Sequence, residues 1–297
     1  MSEIFSKKEL NNAHEESNEN REASDDRVEV SAHAVCESLI TEKNDGLSES
    51  RETSEIAFTN TVEHISQEYE SYISELDKAR LNESIERSRP EVMTEIDYIT
   101  RFPENDFNVL GHFDPVNEKI YIKDNNNEVL RHVSSHEAVH LCSHNEITSD
   151  NEGHTVVRSG IRETAIGEDG IFDRNRGLNE GLTEMYALRE LKAQGDTEAA
   201  GSITSYPEAS GYAYMMEDIV GREAVADAYF GGNIEQLRTE FIRLNDNDET
   251  AWESFSKDVE TVEYGTDNVE ITSAKTRLSI MLMEMTMNAD EANALQG

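Results

Sequence analysis

The chain has little of what marks a disulfide scaffold, a membrane protein or a nucleic-acid binder. It carries two cysteines, Cys36 and Cys142, in 297 residues. Two thiols cannot build a disulfide framework, and a reducing compartment is the simpler expectation. No run approaches the ~18 apolar residues that a membrane span needs. The opening residues, MSEIFSKKEL, lack the apolar stretch of a secretory signal. The expected location is the cytoplasm, or outside after export that reads no such signal. Cations are scarce as well: 26 Lys and Arg stand against 63 Asp and Glu, a net charge of -37. Phosphate backbones and anionic lipid surfaces need a cationic face, so neither is an expected partner. A protein or peptide partner remains. Hydrophobic residues make up 36% of the chain, below the usual ~45–50%. Some of it therefore buries too little apolar surface to offset the entropy of ordering.

That deficit concentrates in residues 1–54, which are rich in Glu, Asn and Ser and nearly free of aromatics. They are expected to form a disordered or loosely helical acidic tail, with Cys36 an incidental thiol rather than a latency ligand. From Ile56 to about Arg89, Ile65, Tyr69, Tyr72, Ile73, Leu76 and Ala79 fall at helical spacing and predict one long amphipathic helix. Pro90 and Pro103 interrupt it. Residues 55–100 are thus a helical N-terminal segment, and 101–297 the main domain. Lys119–Ile122 is a short strand. Asp124 to Asn127 make a turn that offers an N-cap to a helix over about 128–142. A mixed loop region with a strand at His154–Arg158 follows, then a helix from about Asn179 to Lys192. The remainder is mainly helical, with Ile234, Leu237, Phe241 and Ile242 on one face and a Met-rich core filler at Leu278–Met287. The expected class is α+β, mainly helical, with a small sheet before the principal helix.

That helix carries His136-Glu137-Ala138-Val139-His140. Residues i and i+4 of a helix share a face, so both imidazoles can hold one metal ion. Glu137 lies beside them, placed to take a proton from water that the cation has acidified. By chance the pattern arises in roughly 4% of chains of this composition. The strand and turn before it, and the apolar Val129, Leu130, Val133 and Leu141 on the same helix, improve on that. His132 and His144 extend the histidine stripe by one step each way and are read as flanking residues. A catalytic site usually has three protein ligands. A histidine six residues past His140 would mark the metzincins. Glu146 stands there, and Ser143 where their glycine would be, so that class is excluded. Glu180 is the better third ligand, one turn before Glu184 on the next helix. Asp150, Glu152 and His154 are alternatives.

HExxH followed by Asn179-Glu180-Gly181-Leu182-Thr183-Glu184 resembles the gluzincins, the thermolysin-like zinc peptidases, and in particular small bacterial proteins with a GLNEGxTE helix. The resemblance covers about 105–195. It implies a zincin-like catalytic domain and Zn2+ held by His136, His140 and Glu180. It also implies Glu137 as general base, with Glu184 and Asn179 supporting the ligands from outside. The residues between His140 and Glu180 are expected to form a hairpin or loop over the cleft. The strand Lys119–Ile122 is expected to be the edge that pairs with the substrate backbone. Tyr212 is the nominated oxyanion donor, with Tyr206, Tyr214 and His154 as other candidates. The expected activity is peptide-bond hydrolysis. The rival reading is a metal-stabilised acidic interaction module without turnover.

Overall fold

In the computed structural model, the structure describes residues 25–103, 108–149, 154–167, 170–203 and 205–296, with side chains at 46–291 and 294 of these. Two compact units divide the chain, Met1–Ser48 and Glu49–Gly297. The first is described only over residues 25–48, which are helical. Of the expected tail, residues 1–24 lie outside the described residues, as does the Cys36 side chain, while 25–54 belong to a helix. The second unit contains both the 55–100 segment and everything after it.

The architecture is α+β and mostly helical. Helix α1 spans Asp25–Glu68 and α2 spans Glu75–Ser84. The single helix expected over 56–89 is thus broken at residues 69–74. The reason is local: Ser74 accepts a hydrogen bond from the Asp77 N–H at 3.0 Å and donates to the Asp77 carboxylate at 2.7 Å. This side-chain cap starts a new helix inside an apolar period. Ile65, Tyr69 and Ile73 still face the core, but Leu76 is turned out to solvent.

After Pro90 come β1 (Glu91–Met93), α3 (Glu95–Arg101), β2 (Gly111–Asp114) and β3 (Lys119–Lys123). They form a small sheet in the order β1-β3-β2, β1 parallel and β2 antiparallel to β3. The strand expected to be the edge is therefore the centre, its hydrogen-bonding groups used on both sides. The edge beside the next helix is β2.

That helix, α4 (Asn127–Cys142), begins as expected from the turn: the Asn126 side chain accepts from the Val129 N–H at 3.0 Å. Every residue from His132 to Cys142 is buried. Part of this burial is polar. Ser54 and Thr61 of α1 meet Ser134 and Ser135 of α4 at 2.6 and 3.0 Å. At the far end Arg80 donates to the carbonyls of Leu141 and Ser143, satisfying groups a helix end leaves open.

The region expected as mixed loop is a four-stranded antiparallel sheet: β4 (Asn145–Ser149), β5 (Thr155–Ser159), β6 (Arg162–Gly167) and β7 (Gly170–Arg174), in sequence order. Of its strands only β5 was expected, at His154–Arg158; the others are charged and glycine-flanked, which hides the alternation that would have announced them. Helix α5 (Arg176–Ala193) follows and starts earlier than Asn179, from Asn175 in the left-handed region at φ 60°. Then come α6 (Thr197–Ala200), α7 (Pro207–Val220), α8 (Arg222–Gly231), α9 (Ile234–Leu244), α10 (Ala251–Tyr264) and α11 (Asn268–Gln296). Gly181 lets α5 meet α7, since a Cβ there would stand 2.4 Å from the Ala209 carbonyl oxygen. Leu237, Phe241 and Leu244 bury one face of α9. In α11, Leu278, Leu282 and Met285 are core, while Met283 and Met287 are exposed. No described helix is long and apolar enough to cross a membrane.

Candidate metal centre

Helices α4 and α5 lie side by side and bring His136, His140 and Glu180 together. Glu180 Oε2 lies 3.4 Å from His136 Nε2 and 3.2 Å from His140 Nε2. Atoms bound about 2.0–2.1 Å from a tetrahedral cation stand about 3.3 Å apart. The spacing therefore fits a common ion, and all three residues are buried.

The outer nitrogens are held so that the inner ones face Glu180. His136 Nδ1 donates to Glu184 Oε2 at 2.9 Å. His140 Nδ1 donates to the Thr183 hydroxyl at 3.3 Å. That hydroxyl spends its own proton on the Asn179 carbonyl at 2.8 Å and receives a second bond from the Tyr229 hydroxyl at 2.6 Å. One donation and two acceptances exhaust a hydroxyl. Both rings are thereby set in the tautomer that offers Nε2 to the shared point. Sequence reasoning assigned Glu184 this supporting place but missed Thr183 and Tyr229. Thr183 stood inside the quoted motif, whereas Tyr229 arrives from α8 with no local signal.

His132, read as a flanking residue, is wholly buried and bonded on both sides. Its Nε2 donates to Glu184 at 3.0 Å and its Nδ1 to the Ala199 carbonyl at 3.0 Å. Glu184 thus clamps two histidines of the stripe. His144 turns away and donates to Asp77 at 2.9 Å. Asn179 accepts from the Ile161 N–H at 3.0 Å, tying α5 to the β5–β6 turn.

Glu137 sits beside the cluster, buried, and accepts a hydrogen bond from the Phe113 N–H of β2. Burial pushes its carboxyl up, opposed by the His136 and His140 rings and by that N–H. Burial acts the same way on Glu180, but His140 and His136 outweigh it and hold Glu180 well below the usual carboxylate range. For Glu184 the outcome is similar: burial is overcome by bonds from His132 and His136, and the carboxyl falls to about 2.

The cluster opens into a cleft of about 410 Å³. Gly111, His112 and Phe113 of β2 form one wall, and Val157, Ser159, Arg162, Thr164 and Ile166 of β5 and β6 the other. These last residues alternate along their strands, as one face of a sheet requires. The stretch expected to be a hairpin or loop over the cleft is a sheet that walls it. Gly111 allows β2 to lie close on α4, since a Cβ would stand 2.6 Å from Val133 Cγ1 and 3.3 Å from Glu137 Oε1.

Among the tyrosines, the nominated Tyr212 lines a separate groove between α7 and α11, with Ser279 and Leu282. Its helix periodicity carries it to the face away from α4. Tyr214 donates to the Met185 carbonyl and is not at the cleft either. Tyr206 is the tyrosine present. Its ring stacks on His136 at 5.6 Å between centroids and 26° between planes. It occupies the left-handed region at φ 48° just before Pro207, a costly conformation for a residue with a Cβ. The Glu180 carboxylate, and then burial, hold its hydroxyl well above the ordinary value, so it remains a donor. His154 packs against Gly167 on the second sheet, outside the cleft lining. Asp150 and Glu152 lie outside the described residues. Arg162 and Arg176 also line the cleft and were not foreseen, because no spacing rule links them to the histidines. Comparison with protein-family models, curated proteins and solved structures finds no match to the chain.

Proposed function

We propose that this chain is a zinc-dependent endopeptidase of gluzincin type with a zincin-like domain. The observation that carries the reading is the convergence of His136 Nε2 and His140 Nε2 on Glu180 Oε2, at 3.4 and 3.2 Å, with an unligating buried carboxylate, Glu137, beside them. Two nitrogens and one oxygen are a donor set suited to zinc, and three protein ligands leave a position open for chemistry. When bound, the ion would acidify water and polarise a carbonyl.

The chain's own residues do the rest. In β2, Gly111 and Phe113 turn their backbone groups away from β3, as the Phe113 N–H bond to Glu137 indicates. A substrate backbone laid along this edge would be registered by strand pairing. Glu137 takes the proton of the attacking water and returns it to the leaving nitrogen. The Phe113 N–H aims that carboxylate. Tyr206 donates to the oxygen that gains charge as the carbonyl is attacked. A purely structural site for an interaction module would need no carboxylate in Glu137's position.

The test is Glu137→Gln. The variant is expected to keep about one catalytic zinc per chain and to lose proteolysis. Wild type and variant would be incubated with cell lysate and compared for new N-termini. Equal N-terminal profiles would remove the peptidase reading.

A further inference from the structure

A second group of metal-ligand side chains lies elsewhere on α5. His64 and Glu68 stand four apart in the last turns of α1, and Glu190 faces them from α5. Glu190 is ten residues beyond Glu180, about 15 Å along the helix axis, so this group is separate from the cleft. One ligand atom from each of the three falls within 4.8 Å of the others.

Burial and bonding mark the group off from ordinary surface acids. Glu190 is 1% exposed, yet neither of its carboxylate oxygens has a hydrogen-bond partner, and His64 Nδ1 has none. A buried carboxylate without hydrogen bonds is costly. His64 Nδ1 stands 2.5 Å from Glu190 Oε2 and 3.5 Å from Glu68 Oε2. The first contact is close but lacks the angles of a hydrogen bond; two ligands of one ion stand about 3.3 Å apart, so an ion entering between them would part these two atoms. Glu68 uses its other oxygen, Oε1, for Arg222, which also donates to the Tyr69 hydroxyl at 2.9 Å. That arrangement holds Glu68 Oε2 toward the group. The position also suits a cation because α1 ends at Glu68, where the helix dipole is negative and no basic side chain stands in the last turn. His64 and Glu68 are partly exposed, which gives an ion a way in.

We propose that His64, Glu68 and Glu190 form a second divalent-metal site, for a first-row ion such as Zn2+, that staples the end of α1 to α5. One imidazole and two carboxylates make a nitrogen–oxygen donor set of the kind that zinc takes. The site does no chemistry on substrate. It fixes the helix that carries Glu180 and Glu184. The proposal rests on no part of the peptidase reading.

Full-length protein would be stripped by chelator, reloaded with Zn2+ alone and counted by native mass spectrometry and metal analysis. Wild type is expected to hold two ions per chain. Glu190→Gln, which keeps the side-chain shape, and His64→Ala, at a partly exposed position, should each hold one and bind the lost ion at least tenfold more weakly. His140→Ala should also hold one, and His140→Ala with Glu190→Gln none. One ion in wild type, lost in His140→Ala and kept in both Glu190→Gln and His64→Ala, overturns the proposal and leaves the catalytic centre standing. One ion lost in Glu190→Gln and kept in His140→Ala supports it and counts against the catalytic centre instead. Two ions retained by both Glu190→Gln and His64→Ala also overturn it.

Discussion

Replacing Glu184 by Gln tests whether the orientation of two α4 histidines, and the tautomer of His136, are set from outside. The Glu184 carboxylate receives His132 Nε2 at 3.0 Å and His136 Nδ1 at 2.9 Å in a pocket closed to solvent. Glutamine keeps the shape but has one acceptor oxygen. If that oxygen serves one ring, its amide N–H faces the N–H of the other, donor against donor. One charge-assisted bond is lost and one buried donor is left unmet, which costs about 1.5–3 kcal/mol of folding stability. If His136 turns over to relieve the clash, its Nε2 no longer offers a lone pair. Support of this kind is worth about 10–100-fold in metal affinity, or about 1.4–2.8 kcal/mol. Chemical denaturation reads the first number, and zinc competition against a fluorescent chelator reads the second. Wild-type zinc affinity in Glu184→Gln, within about twofold, would refute the argument that this carboxylate sets the ligand geometry.

Three other predictions follow from the site and its supports. Tyr206→Phe should keep its metal and lose about 10²–10³-fold in kcat, whereas Tyr212→Phe should change neither; an unchanged kcat for Tyr206→Phe would show that its hydroxyl donates nothing in the reaction. Gly111→Ala should lower the denaturation midpoint, at about 1–3 kcal/mol, because the added methyl meets Val133 and must push β2 off α4; an unchanged midpoint would mean that the strand is free to shift. Burial would raise the Asp77 carboxyl, but bonds from His144 and Ser74 outweigh it and hold it below its ordinary value. A depressed carboxylate contributes stability above its unfolded value of ~3.9, and that contribution fades as pH falls through the folded one. The stability gap between wild type and Asp77→Asn should therefore be full at pH 6 and shrink below about pH 4; a gap that does not change with pH would rule out this linkage.

The sequence by itself determined the candidate metal-binding pair and its helix. His136 and His140 share a face through helical periodicity alone, and Asn126 caps that helix as its turn implied. The mainly helical α+β class was legible for the same reason, since periodicity and caps are local. Glu180 was legible as a candidate from its place one turn before Glu184 and from the resemblance, but its meeting with the histidines needs two helices to converge and was decided by packing. Only the tertiary structure decided which strand forms the edge, since Lys119–Ile122 looks the same from sequence whether paired on one side or two. It alone showed the three other strands that flank the expected one at His154–Arg158, where charge and glycine mask alternation. It also placed Tyr206, and not Tyr212, at the cleft. Both precede or occupy α7, and the difference lies in a left-handed turn before Pro207 that swings one ring onto His136. Thr183 and Tyr229, which fix His140, and the His64–Glu68–Glu190 group likewise depend on side chains meeting across elements distant in sequence. Spacing along one helix is written in the order of residues. Contact between helices is written in the packing of the whole core, to which every buried side chain contributes at once.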